Sequence, residues 1–126
     1  IGYFQLINTV DTFVIYDNIQ YTKKGWLNRN RLLFNNKIEY FTINVAKDSD
    51  YLNVDERKIA PIFYDKELNK ILSKIKQNYN KAPYFDDIFP FIQSVFTHRT
   101  DNLFDYIYQS LIRVVNYLEI DTNLVL

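Results

Sequence analysis

Residues 17–31 gather most of the side chains in this chain that could do chemistry on a small anionic molecule. They read Asp17-Asn18-Ile19-Gln20-Tyr21-Thr22-Lys23-Lys24-Gly25-Trp26-Leu27-Asn28-Arg29-Asn30-Arg31. The segment holds the only Trp, one of the 2 Gly and four of the 15 basic residues. Four positive charges less the one on Asp17 give +3, in a chain of formal net charge zero, so the remainder sums to −3. Arg29 and Arg31 can fork onto a phosphate or carboxylate, and Lys23 and Lys24 add compact point charges. Trp26 and Tyr21 offer planar faces for a base or sugar ring. Asn28 and Asn30 can hydrogen-bond hydroxyls, and Asp17 can orient or deprotonate an amine or hydroxyl. The plainer reading is a solvated connecting loop with a half-buried Trp and arginines paired to surface carboxylates. Residue types alone leave both open.

Other constellations carry less. Lys23-Lys24-Gly25 lacks the glycine frame of a phosphate-binding loop. Asp86-Asp87 is explained by a helix start, and Asp55-Glu56 has no partner in the pattern. His98 stands in a polar connection and reads as an exposed loop residue. With no Cys and one His, neither a thiolate nor a His-based metal site is expected. A Mg²⁺ carried on a substrate's phosphates would leave no mark in the sequence.

The chain has 126 residues, enough for one core and one domain. Zero net charge argues against a nucleic-acid binder. No apolar run reaches membrane-span length and no signal peptide opens the chain, so a soluble cytoplasmic protein is the expectation. The 11 Tyr and 10 Phe could line a cleft or an interface.

An α/β fold of mixed type should position these groups. Tyr3, Phe4, Leu6, Ile7 and Val10 give a short N-terminal helix. Thr12 to Tyr16 is β-branched and aromatic throughout, which predicts a strand buried on both faces. Asp17 would then stand at a strand's carboxyl end, where open α/β sheets handle ligands. Arg29 to Val45 predicts a β-hairpin turning at Asn35-Asn36. In an extended chain Trp26, Asn28 and Asn30 share one face, and Leu27, Arg29 and Arg31 the other. Residues 51–59 suggest another short strand. Three helices follow, packed on a small mixed sheet. The first runs from Tyr64 or Asp65 to Tyr79, with Leu68, Ile71, Leu72, Ile75 and Tyr79 inward. The second starts near Asp86-Asp87, with Pro90 in its first turn. The third spans about Asn102 to Leu118, capped by Thr100 or Asp101.

Ile1 to Ile7, Val10 to Asp17, Gln20 to Arg31 and Lys81-Ala82-Pro83-Tyr84-Phe85 resemble, in order and spacing, the WbqC-like family of bacterial surface-polysaccharide gene clusters. Lys24 to Arg31 is the most specific tract. The resemblance implies a transferase of O-antigen production, in one form a glycine transferase. Such an enzyme would take a nucleotide-linked sugar or similar anionic precursor and needs no bound cofactor. Family members carry a further strand and loop before this start and continue beyond Leu118-Glu119-Ile120. The absence of Met, the abrupt Ile1-Gly2-Tyr3-Phe4 opening and the strand-like Leu124-Val125-Leu126 close agree with a single-domain fragment, residues 1–126, truncated at both ends. Sheet edges exposed in that way could pair between copies, giving a homo-oligomer. A non-catalytic scaffold domain for a biosynthetic complex is the alternative function.

Overall fold

The structure, a computed structural model, describes residues 1–126. It is mixed α/β, as the pattern predicts. Helix α1 (Gly2–Ile7) leads into strand β1 (Thr12–Val14). Strands β2 (Arg29–Phe34) and β3 (Lys37–Thr42) form the hairpin. Helices α2 (Leu68–Tyr79), α3 (Phe85–Phe96) and α4 (Leu103–Tyr117) follow, then strand β4 (Asn123–Val125). The mixed strand sense is realised as two separate pairs, a parallel β1–β4 ladder and the antiparallel hairpin.

The hairpin turn is the two-residue kind the sequence asked for. Asn35 and Asn36 both take left-handed φ, 49° and 59°, a conformation Asn adopts more readily than most residues. That turn fixes the register, so Arg31 faces Tyr40 and Phe34 faces Lys37. The inner face of the hairpin, Leu32, Phe34 and Phe41, packs on the apolar stripe of α2, and Leu68, Ile71, Leu72 and Ile75 are buried as expected.

Several expectations need correction. Strand β1 is not buried on both faces. Phe13 and Ile15 pack on Ile7, Leu111 and Val115, while Val14 and Tyr16 are 68% and 71% exposed. The reason is local: β1 pairs with β4 alone, and α1 and α4 cover one side. Residues 51–59 are no strand. Val54–Glu56 forms a 3₁₀ turn closed by a capping box, with Asn53 N–H donating to the Glu56 carboxylate at 2.8 Å. The first long helix begins at Pro61 and carries a π-helical turn, Phe63–Glu67, before regular α geometry sets in at Leu68. Pro90 lies past the first turn of α3, which starts at Phe85. Asn102, not Thr100 or Asp101, caps α4, its Oδ1 accepting from Asp105 N–H at 2.9 Å.

The core has two parts. The larger surrounds Phe63, Leu103, Val54 and Phe34, and the smaller is Ile7, Leu111 and Val115. Helix α4 belongs to both, so one element ties the β1–β4 ladder to the hairpin half. No helix is long and apolar enough to cross a membrane.

Candidate functional site

A tight turn shapes the basic tract. Gly25 N–H donates to Thr22 O at 3.0 Å. A Cβ at position 25 would collide with the Thr22 hydroxyl and crowd Thr22 O at 3.2 Å, so a larger residue fits only if the Thr22 side chain moves aside. The Arg29 guanidinium then reaches back and donates to Lys24 O at 2.6 Å. Because residues 22–28 are turned rather than extended, strand alternation does not apply to Trp26. Its ring joins the arginines instead of the asparagines. Arg29 Cζ lies 5.4 Å and Arg31 Cζ 5.6 Å from the indole centre. Tyr40, opposite Arg31 on β3, adds a second ring 5.9 Å from Trp26 and 5.7 Å from Arg29 Cζ. Neither arginine forms an ion pair with a carboxylate. The result is two cations held over two rings without an internal counter-ion, the arrangement that accepts an anion beside a planar group.

Beside this cluster a pocket of about 200 Å³ opens between β2 and helices α3 and α4. Four of the expected residues, Trp26, Asn28, Arg29 and Asn30, line it. Asn28 is only 5% exposed. Its side-chain amide donates to Ile43 O at 2.9 Å, and its main-chain carbonyl accepts from Ile43 N–H at 2.7 Å. Asn28 Oδ1 and Arg29 Nε are buried and have no partner. Buried polar groups are nearly always satisfied, so these two atoms, in neighbouring residues that line the pocket, are exceptions. On the far wall Tyr106 is committed, its hydroxyl donating to Phe96 O at 2.8 Å, and burial pushes its phenol pKa well up. Ser110 is likewise bonded, donating to Ile107 O at 2.6 Å.

The remaining expected residues sit outside this pocket. Tyr21 is buried in the core, and the Arg57 guanidinium lies 4.6 Å over its ring. Burial raises the Tyr21 pKa against the opposing pull of Arg57, Lys23 and Arg29. Lys23 pairs with Asp50 at 2.6 Å, and its hydrogen bond holds that carboxyl below its usual range. Lys24 is exposed and contributes its carbonyl to Arg29. Asn30, by contrast, lines the pocket and is exposed, with Oδ1 accepting from Arg31 N–H at 2.8 Å. Asp17 is half-buried just beyond the carboxyl end of β1 and does not line the Trp26 pocket. His98 is half-buried rather than exposed, its Nε2 3.7 Å from the Asp105 carboxylate.

Two participants escaped the sequence reading. Tyr40 was recoverable, since a two-residue turn at Asn35-Asn36 dictates its pairing with Arg31. Arg57 was not. It is 2% exposed with Nη2 donating to Ser49 O at 2.6 Å, a burial rare for arginine.

The sequence matches the WbqC-like protein family over residues 1–126. It is also 30% identical over 125 residues to uncharacterized protein Rv1507c of Mycobacterium tuberculosis (strain ATCC 25618 / H37Rv). That alignment covers 98% of this chain and 53% of the relative, so the chain spans about half the length of the curated relative it matches. No solved structure matches.

Proposed function

The chain belongs to the WbqC-like protein family, and we propose that it is part of a transferase-type enzyme of bacterial surface-polysaccharide biosynthesis. Its substrate would be a nucleotide-linked sugar or a similar anionic precursor, with an amino-acid group such as glycine one candidate for transfer. The observation that carries this reading is the uncompensated pair Arg29 and Arg31 over Trp26 and Tyr40, beside the pocket with the unpartnered Asn28 Oδ1 and Arg29 Nε. In this reading the guanidinium groups hold phosphate, the rings stack on the base or sugar, and Asn28 and Asn30 take hydroxyls. Lys23 and Lys24 add positive potential at the entrance. Tyr21 acts from beneath by packing the tract. Asp17 orients or deprotonates the acceptor amine or hydroxyl brought to the parallel strand ends.

Calorimetric titration with UDP- and GDP-linked sugars tests it. Binding should be lost when Trp26, Arg29 and Arg31 are all changed to Ala, and binding that survives the triple change would sink the assignment.

A scaffold role is the second reading. It draws on Val14 at the end of β1 and Tyr16 just beyond it, both exposed and lining one apolar pocket with the half-exposed Tyr3. Partner capture that depends on Val14 and Tyr16 but not on Arg29 would favour it.

A further inference from the structure

A second, larger cavity of about 430 Å³ runs between the hairpin and helices α2 and α3. That volume lies within the range of small-molecule sites. Leu32 and Phe41 form one wall, Ile75 the floor, and Ile88, Phe89 and Ile92 the other wall. Arg31 is the one charged residue among the 14 that line it, and none is acidic. The Tyr79 hydroxyl is already used, donating to Leu33 O at 2.9 Å. Water in such a groove finds few partners. The groove adjoins the Trp26 pocket, and Asn30, Phe41 and Phe96 line both.

We propose that this groove holds the aliphatic chain of a phosphate-bearing amphiphile whose head lies on Arg31 and Arg29. The inference rests on the reading of the basic cluster as an anion site and narrows its ligand class. One of the molecules bound there is not freely hydrophilic; it carries a hydrocarbon tail. Charge complementarity selects the sign of the head, because Arg31, which has no ion pair, is the one charged residue among those lining the groove. Adjacency selects its position, because only Asn30, Phe41 and Phe96 are common to the pocket beside the cluster and the groove. Ala82-Pro83-Tyr84-Phe85, from the family-matching stretch, lines the groove as well, with Tyr84 turning the chain into α3 at φ 62°.

The test is calorimetric titration of the protein with butyl, octyl and dodecyl phosphate below their micelle concentrations, with dodecyltrimethylammonium as control. Each added methylene should tighten binding roughly fourfold until the groove is full. Arg31→Gln should weaken every phosphate about tenfold, and Ala82→Trp, which fills the groove from its rim, should erase the dependence on chain length. Equal affinity for butyl and dodecyl phosphate would overturn the proposal, as would equal affinity for the cationic control. Self-association in sedimentation velocity that Ala82→Trp abolishes would give the groove to a second copy and overturn it too. These wild-type measurements decide the matter even if a variant fails to fold. Nucleotide-sugar binding without chain-length dependence removes the groove proposal alone. Chain-length dependence without nucleotide-sugar binding removes the nucleotide-sugar reading and leaves the groove.

Discussion

Arg31 and Tyr40 face each other across the hairpin, and the pairing places the aromatic face of β3 beside the cation of β2. The Arg29 bond to Lys24 O completes the cluster by folding Trp26 back onto the same side. Three chain segments thus meet on one face: the turn, β2 and β3.

Arg29→Ala should loosen that turn as well as remove a cation. Hydrogen exchange across residues 22–28 should quicken, and stability should fall by about 1–3 kcal/mol for a lost charge-assisted bond. Arg29→Lys retains charge but not the fork, so it should rescue stability partly and ligand affinity poorly. Full rescue of affinity by lysine would show that charge alone matters.

Asn28→Ala strips the donor from Ile43 O inside the core. The unmade bond should cost about 1–3 kcal/mol, which lowers the melting temperature by about 4 °C per kcal/mol in a domain of this size. An unchanged melting temperature would mean that water replaces the amide.

The two arginine environments separate by volume. Arg57 is buried, stacked on Tyr21 and bonded to Ser49 O, yet has no ion pair. A buried charge without a counter-ion carries a desolvation penalty that offsets its contacts, and replacing buried ions by well-packed apolar side chains is often neutral or stabilising. Arg57→Met should therefore cost less than about 1 kcal/mol, while Arg57→Ala should cost about 2–5 kcal/mol through its cavity. Chemical denaturation of both variants reads the difference, and equal losses would contradict the packing account.

Alkaline stability follows from the phenols. Burial raises the pKa of Tyr106, Tyr64, Tyr21 and Tyr3 in the folded state. The folded protein then keeps protons that the unfolded chain releases above pH about 10. Stability should be full below that pH and fall as pH rises beyond it. Tyr106 sets the steepest part, up to about 1.4 kcal/mol per pH unit. Tyr106→Phe should flatten the fall, measured by denaturation between neutral pH and strongly alkaline buffer. An unchanged slope would mean that Tyr106 ionises without unfolding.

Much of the scaffold was legible because local rules acted alone. Asn35-Asn36 specified a hairpin, and the stripe of α2 specified its buried side. Local rules failed where tertiary partners decided. Strand β1 looked doubly buried because Thr12 to Tyr16 are apolar and β-branched, yet only one face has neighbours. Trp26 was assigned to the wrong face because alternation presumes an extended chain, and Gly25 turns it. The apolar groove is built from the hairpin, α2 and α3 together, so no single stretch could announce it; Ala82 to Phe85, within the segment that the family resemblance marked, nevertheless lines it.

The central claim is that Arg29, Arg31 and Trp26 form one anion site. Trp26 is the only Trp in this sequence, so its fluorescence reports directly from the cluster. The most direct measurement is a fluorescence titration of the protein with a UDP-linked sugar, referenced to Trp26→Phe. The account predicts saturable quenching that weakens with salt, drops roughly tenfold or more in affinity with Arg31→Ala, and disappears in the reference. Quenching unaffected by salt and by loss of both arginines, or no response at all, would contradict it.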